Sequence, residues 1–160
     1  MIKKILVPVD GSEHSDRAVE LGSDLASKYG APLVLLQVLL SGHVPNDIRK
    51  LSDKAGEERP ALTMGAAHVE AYLPDEVRED IADKLLERAR ATAEKHGAKQ
   101  VETVKDSGNV TERIIAQARE HRADTIVMGS RGLTYLEGIL LGSVSHKVLQ
   151  LFDGTVITVR

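Results

Sequence analysis

Apolar residues follow two rhythms along this chain. Five short stretches, 2–9, 33–39, 101–105, 125–128 and 156–159, read as strands, and most are continuous apolar runs rather than alternating ones. Unbroken apolar runs are expected of parallel strands covered on both faces. Between them the apolar positions recur with a helical period. Over 15–29, Ala18, Leu21, Gly22, Leu25, Ala26 and Tyr29 share one stripe, and Gly30 supplies a stop. Over 74–96, Val77, Ile81, Leu85, Ala89 and Ala93 do the same; Pro74, Asp75 and Glu76 suit its start, Lys95 and Gly97 its end. A third helix is predicted over 110–119, capped by Asn109 with Glu112 three residues on. A fourth opens at Gly142 and Ser143 and runs through "SVSHKVLQLF".

Strands alternating with helices predict βαβ units and right-handed crossovers. The fold class is therefore α/β: a single doubly wound open sheet with helices on both faces, Rossmann-like. Residues 1–160 read as one domain. Residues 41–73 interrupt the pattern with Gly, Pro, His and charge clusters and no sustained period. A connection of that length is unusual in a compact domain. It reads as a long variable insertion, an excursion or a partner-facing segment, with a short helix around 46–55.

Composition narrows the class. At 160 residues, 42% hydrophobic and 28% charged, the chain has the balance of one soluble globular domain. A net charge of -3, with one Phe, three Tyr and no Trp, offers neither field nor stacking surface for nucleic acid. The lack of cysteine removes disulfides and thiolate chemistry and fits a reducing compartment. The N-terminal apolar run stops at Asp10, too early for an export signal, and no run approaches the ~20 residues of a membrane helix. The expectation is a cytoplasmic protein without membrane insertion. His14, His43, His68, His96, His121 and His146 show no ligand spacing, so no metal-binding residue set is predicted.

The candidate chemistry lies in "MGSRGLTYLEGILLGSVSHKVL", residues 128–149. Gly129 and Gly132 stand where the chain must turn out of a buried strand, and glycine permits the approaches a side chain would block. Gly142 and Ser143 open the last helix, whose unpaired amides and positive dipole end make an anion site. Ser143 and Ser145 add hydroxyls. In a doubly wound sheet this loop lies at the carboxyl ends of the strands, where ligands bind, and phosphate is its natural occupant. The common signatures do not fit. Gly138 and Gly142 are three residues apart and no lysine precedes Ser143, so there is no P-loop; no G-x-G-x-x-G follows the first strand; Met128 breaks a nucleophile elbow.

A different pattern does fit. Gly129, Gly132, Gly142 and Ser143 spell G-x2-G-x9-G-S, which resembles the nucleotide motif of the ATP-binding universal stress proteins. "ILVPVDGSEHSDRAVELGSDLA" is similar to that family's first strand and helix, and "ADTIVMGSRG" to its fourth strand. The likeness spans about four fifths of the chain, leaving out mainly 41–73. It implies five parallel strands in order 3-2-1-4-5, with the nucleotide at the break between strands one and four. It also carries roles over. Pro8, Val9 and Asp10 match the strand-one edge that faces the nucleoside, and Val38 matches a backbone contact to adenine. Met128, Gly129, Arg131 and Gly132 match the ribose and phosphate turn; Gly142, Ser143, Val144 and Ser145 match the phosphate-binding helix start. One departure is "FDGTVITV", where the family often has a small residue and Pro before the last strand.

The function this implies is an ATP-binding switch in a stress response, with at most slow hydrolysis and with magnesium or manganese held through the phosphates. Two other readings stay open: an ATP-hydrolysing or phosphate-transferring enzyme, and a nucleotide-free dimeric scaffold. Fast phosphoryl transfer needs metal, cations and an oriented nucleophile. The loop has no lysine, Arg131 is its single cation and Glu137 its single carboxylate. The retained glycine spacing argues against the scaffold. Tyr135 and Leu136 would cover a nucleotide or touch another subunit. The last strand, with Val156, Ile157 and Val159, is short, apolar and at an edge under the implied order. Pairing with its copy would cover it, and the resemblance implies that homodimer. Larger assemblies and a regulatory protein partner stay open.

Overall fold

The computed structural model describes residues 1–39, 48, 50–51, 74–133 and 141–160. Apart from Ile48, Lys50 and Leu51, the predicted insertion and its short helix lie outside the described residues, as do Tyr135, Leu136, Glu137 and Gly138. The elements in chain order are β1 (Ile5–Pro8), α1 (Glu13–Tyr29), β2 (Leu33–Val38), α2 (Asp75–Lys95), β3 (Val101–Asp106), α3 (Val110–Glu120), β4 (Thr125–Gly129), α4 (Ser143–Leu151) and β5 (Thr155–Val159).

The five strands form one parallel sheet in the order β3-β2-β1-β4-β5, as the resemblance implied. Ile5 of β1 stands beside both Leu33 of β2 and Thr125 of β4, so the chain order reverses on either side of β1. Both faces of the central strands are buried, which explains their unbroken apolar runs. Ile5, Val7, Leu33, Leu35 and Val127 pack under α1 and α2 with Ala18, Val19, Ile81 and Leu85. Leu6, Val34, Leu36, Ile126 and Met128 pack with Ile114 and Ala118 of α3 and Val148 of α4.

Local signals set the helix ends. Ser12 caps α1, its hydroxyl accepting from the Ser15 amide at 3.2 Å, and Gly30 ends the helix in the left-handed region at φ 63°. Asn109 caps α3 as expected, accepting from the Glu112 amide at 3.2 Å. Arg88 of α2 grips both carboxylate oxygens of Asp16 on α1, at 2.8 and 3.0 Å, and His96 meets Asp24 at 2.8 Å. Burial lifts the Asp16 carboxyl above its ordinary range, against the opposing pull of Arg88.

Two expectations need correction. The first strand begins at Ile5 rather than at residue 2, because the amides of Lys3 and Lys4 go to the Asp124 carboxylate instead of a strand partner. Tyr29, assigned to the apolar stripe of α1, is 46% exposed: it is the last residue of the helix, just before the Gly30 stop.

Candidate functional site

The exit of β1 is fixed by short-range hydrogen bonds. The Val9 amide donates to the Leu36 carbonyl at 2.7 Å, so β1 stays tied to β2 up to the point where the chain leaves the sheet. The Asp10 amide then donates to Ser15 Oγ at 3.2 Å. One oxygen of the Asp10 carboxylate accepts from the Ser12 amide at 2.9 Å, a local turn that competes with strand geometry and launches α1. Its other oxygen, Oδ2, points across to β4's side of the sheet. A β-carbon placed on Gly132 would lie 2.7 Å from it. Only a residue without a side chain lets the turn and the carboxylate come this close.

The turn after β4 is held just as tightly. The Ser130 amide donates to the Val159 carbonyl at 2.7 Å, extending the β4–β5 ladder by one rung. The Ser130 carbonyl accepts from the Gly142 amide at 2.7 Å and from Ser145 Oγ at 3.1 Å. Ser145 Oγ also lies 2.9 Å from the Gly129 carbonyl. Ser145 is buried, and its single proton is shared between these two carbonyls. The sequence places this hydroxyl among the donors at the helix start. In the structure it fastens the turn to the start of α4, and what it leaves for a ligand is its backbone amide.

Gly142 caps α4 with extended backbone, and no side chain closes the helix start. The amides of Ser143, Val144 and Ser145 have no hydrogen-bond partner among the described residues. Ser143 is exposed and Val144 partly buried, so these donors border solvent beside the Gly129–Gly132 turn. Such a row of amides at the positive end of a helix dipole has the geometry that suits an anion.

The structure thus brings Asp10, Gly129, Arg131, Gly132, Gly142, Ser143, Val144 and Ser145 to the carboxyl edge of the sheet between β1 and β4. Pro8 and Val9 lead into Asp10. Met128 faces the core beneath the turn at 4% exposure, so the backbone that follows it, not its side chain, reaches the edge. Val38 ends β2, one strand beyond β1. Its side chain packs in the core on the α3 and α4 face, which leaves only its main chain for a ligand. The order reversal at β1 makes this edge the crevice where doubly wound sheets bind ligands.

Sequence reasoning passed over two residues here. His14, in the first turn of α1, places Nε2 3.3 Å from the Arg131 guanidinium, a contact across 117 positions that no local spacing announces. Ser130 is 2% exposed, and its hydroxyl has no partner among the described residues. Within "GSRG" it looks like an ordinary turn serine. No group of three or more His, Asp or Glu that could hold a metal ion occurs among the described residues. No helix among them is long and apolar enough to cross a membrane.

Known proteins resemble this chain in sequence and fold. Universal stress protein YxiE of Bacillus subtilis is 34% identical over the full length of both chains. The solved structure of MJ0577, a universal stress protein of Methanocaldococcus jannaschii, is 27% identical; the match covers 99% of this chain and 96% of that one, with a TM-score of 0.71. A universal stress protein solved in complex with cAMP is 23% identical over 99% and 97% of the two chains with a TM-score of 0.67, a likeness that speaks for the fold alone. The model of the universal stress protein family matches residues 1–160. The chain belongs to the universal stress protein family.

Proposed function

We propose that this protein binds an adenine nucleotide, ATP foremost, at the carboxyl edge between β1 and β4, and acts as a nucleotide-dependent switch in a stress response. The observation that carries the reading is the row of unpartnered amides at Ser143, Val144 and Ser145, set against a turn whose glycines clear the approach. Each hydrogen bond to a charged phosphate contributes roughly 1.5 to 3 kcal/mol, so three amides suffice for useful affinity. In this reading Gly142 and the three residues after it hold the phosphates. Met128, Gly129, Arg131 and Gly132 line the ribose and phosphate turn. Pro8, Val9 and Asp10 face the nucleoside, and the Val38 main chain meets adenine. A relative of this fold has been solved with cAMP, another adenine nucleotide.

Magnesium or manganese fits this site as a passenger on the phosphates, since no carboxylate cluster among the described residues would hold it. The same shortage favours slow hydrolysis at most over an efficient phosphotransferase. One domain in the cytoplasm, paired as a homodimer through Val156, Ile157 and Val159 of the edge strand β5, completes the proposal.

Denaturing purified protein and separating the released small molecules by chromatography tests the ligand, followed by titration of stripped protein with ATP and magnesium. Saturable binding is expected, with product formed far more slowly than ligand exchanges. No released nucleotide together with no heat on titration refutes the reading; turnover at the rate of a committed kinase refutes the switch. A monomer by light scattering at micromolar concentration refutes the pairing.

A further inference from the structure

We infer that Ser130, rather than Ser145, supplies the buried side-chain hydroxyl that holds a nucleotide's phosphate at this edge. The inference rests on the nucleotide reading above and deepens it.

Side chains alternate in direction along a strand. Met128 packs in the cluster beneath α3 and α4, whereas a β-carbon on Gly129 would face the other way, 2.9 Å from His14 Cβ on α1. Ser130, whose amide still pairs with Val159 of β5, turns back to the α4 side. There its carbonyl is gripped twice, by the Gly142 amide at 2.7 Å and by Ser145 Oγ at 3.1 Å. Gly142 precedes the row of unpartnered amides that opens α4, and Ser145 ends it. Ser130 is therefore seated at the foot of that row.

The two buried serines spend their hydroxyls differently. Ser145 Oγ has one proton, and it goes to the carbonyls of Gly129 and Ser130. Ser130 is 2% exposed, and its Oγ has no partner among the described residues. A turn serine ordinarily bonds to backbone within a few positions of itself. Here the nearest such acceptor is spent: the Ser130 carbonyl has two lone pairs and already takes two donors. A buried hydroxyl without a partner costs stability, so the fold gains nothing by keeping this one. An unpartnered O–H at the foot of three unpartnered N–H groups fits an anionic oxygen. Phosphate oxygens accept from several donors at once, the helix dipole favours them there, and a hydrogen bond to a charged oxygen is among the stronger kinds. Ser130 is then a phosphate-binding residue, and the Ser145 side chain a positioning one.

The test measures dissociation constants for ATP with magnesium and for adenosine by calorimetry, and the urea midpoint, in the wild type, Ser130→Ala and Ser130→Cys. Alanine removes a hydroxyl that the folded chain does not use. The midpoint should hold or rise, while ATP binding weakens roughly 10- to 100-fold and adenosine binding is unchanged. Cysteine keeps the shape but offers only a weak donor, so Ser130→Cys should weaken ATP in the same direction. Ser145→Ala is the contrast, because it breaks bonds that the fold does use and lowers the midpoint. Unchanged ATP affinity in Ser130→Ala, equal losses of ATP and adenosine, or a midpoint lowered as in Ser145→Ala overturns the assignment and leaves nucleotide binding standing. No saturation of the wild type by ATP overturns both.

Discussion

The close approach of Gly132 to Asp10 offers the sharpest trial of the site. In Gly132→Ala the new β-carbon meets Asp10 Oδ2 at 2.7 Å, inside van der Waals contact. Neither partner can yield freely. The other Asp10 oxygen holds the Ser12 amide at 2.9 Å, and the turn is pinned downstream through Ser130 and Gly142. The carboxylate must swing away, which removes it from the position proposed to face the nucleoside. A hydrogen bond to a charged group contributes about 1.5 to 3 kcal/mol, and about 1.4 kcal/mol is a factor of ten, so ATP affinity should fall by roughly 10- to 100-fold. The fold should hardly notice, because Gly132 is exposed and lies outside the core. The assay is a double-mutant cycle of Gly132→Ala and Asp10→Ala, with ATP binding followed by calorimetry and stability by urea unfolding. If the methyl group acts by displacing the carboxylate, it does little harm once the carboxylate is gone, and the double variant should bind about as weakly as Asp10→Ala alone. Fully additive losses, or an unimpaired Gly132→Ala, would refute the reasoning.

Two further outcomes follow from contacts already described. Ser145→Ala removes a buried donor from the carbonyls of Gly129 and Ser130, at a stability loss of about 1 to 3 kcal/mol in urea unfolding, with ATP binding weakened because the helix start is no longer fastened to the turn. Asp16→Asn should leave stability at pH 7 unchanged or slightly raised, although it breaks the Arg88 contact. A carboxyl lifted by burial binds its proton more readily when folded than when unfolded, so its charge costs stability above the folded value and that cost fades as pH falls through it. Both side chains are about half exposed, which holds the effect below about 1 kcal/mol. A clear loss of stability in Asp16→Asn at neutral pH would show that the ion pair outweighs the burial.

Sequence legibility followed the range of the physics involved. Burial on both faces writes itself into consecutive residues of β1, β2 and β4, the edge strands β3 and β5 are shorter on apolar residues but fall in the same strand–helix alternation, and caps such as Asn109 act within three positions. The G-x2-G-x9-G-S spacing was readable too, since backbone clearance demands glycine at fixed points. What escaped was set by distant pairings. Nothing around Lys3 and Lys4 reveals that Asp124, some 120 residues on, takes their amides and delays β1. The composition of α1 does not say that His14 meets Arg131. Ser145 shows the subtler case: its residue type says that a hydroxyl donor stands at the helix start, but the direction of its proton is decided by the carbonyls of Gly129 and Ser130.

Ser130 ties together two parts of the molecule that could have been separate. Its amide closes the last rung to Val159, three-dimensionally the outermost strand, and its carbonyl receives the start of α4. The strand β5 is therefore a structural member of the proposed crevice, although no residue after Ser145 is assigned to it. Cutting the chain before Val159 would withdraw the acceptor beneath Ser130 and slacken the very bend on which the proposed phosphate grip depends. A neighbour laid along β5 would press on the same joint.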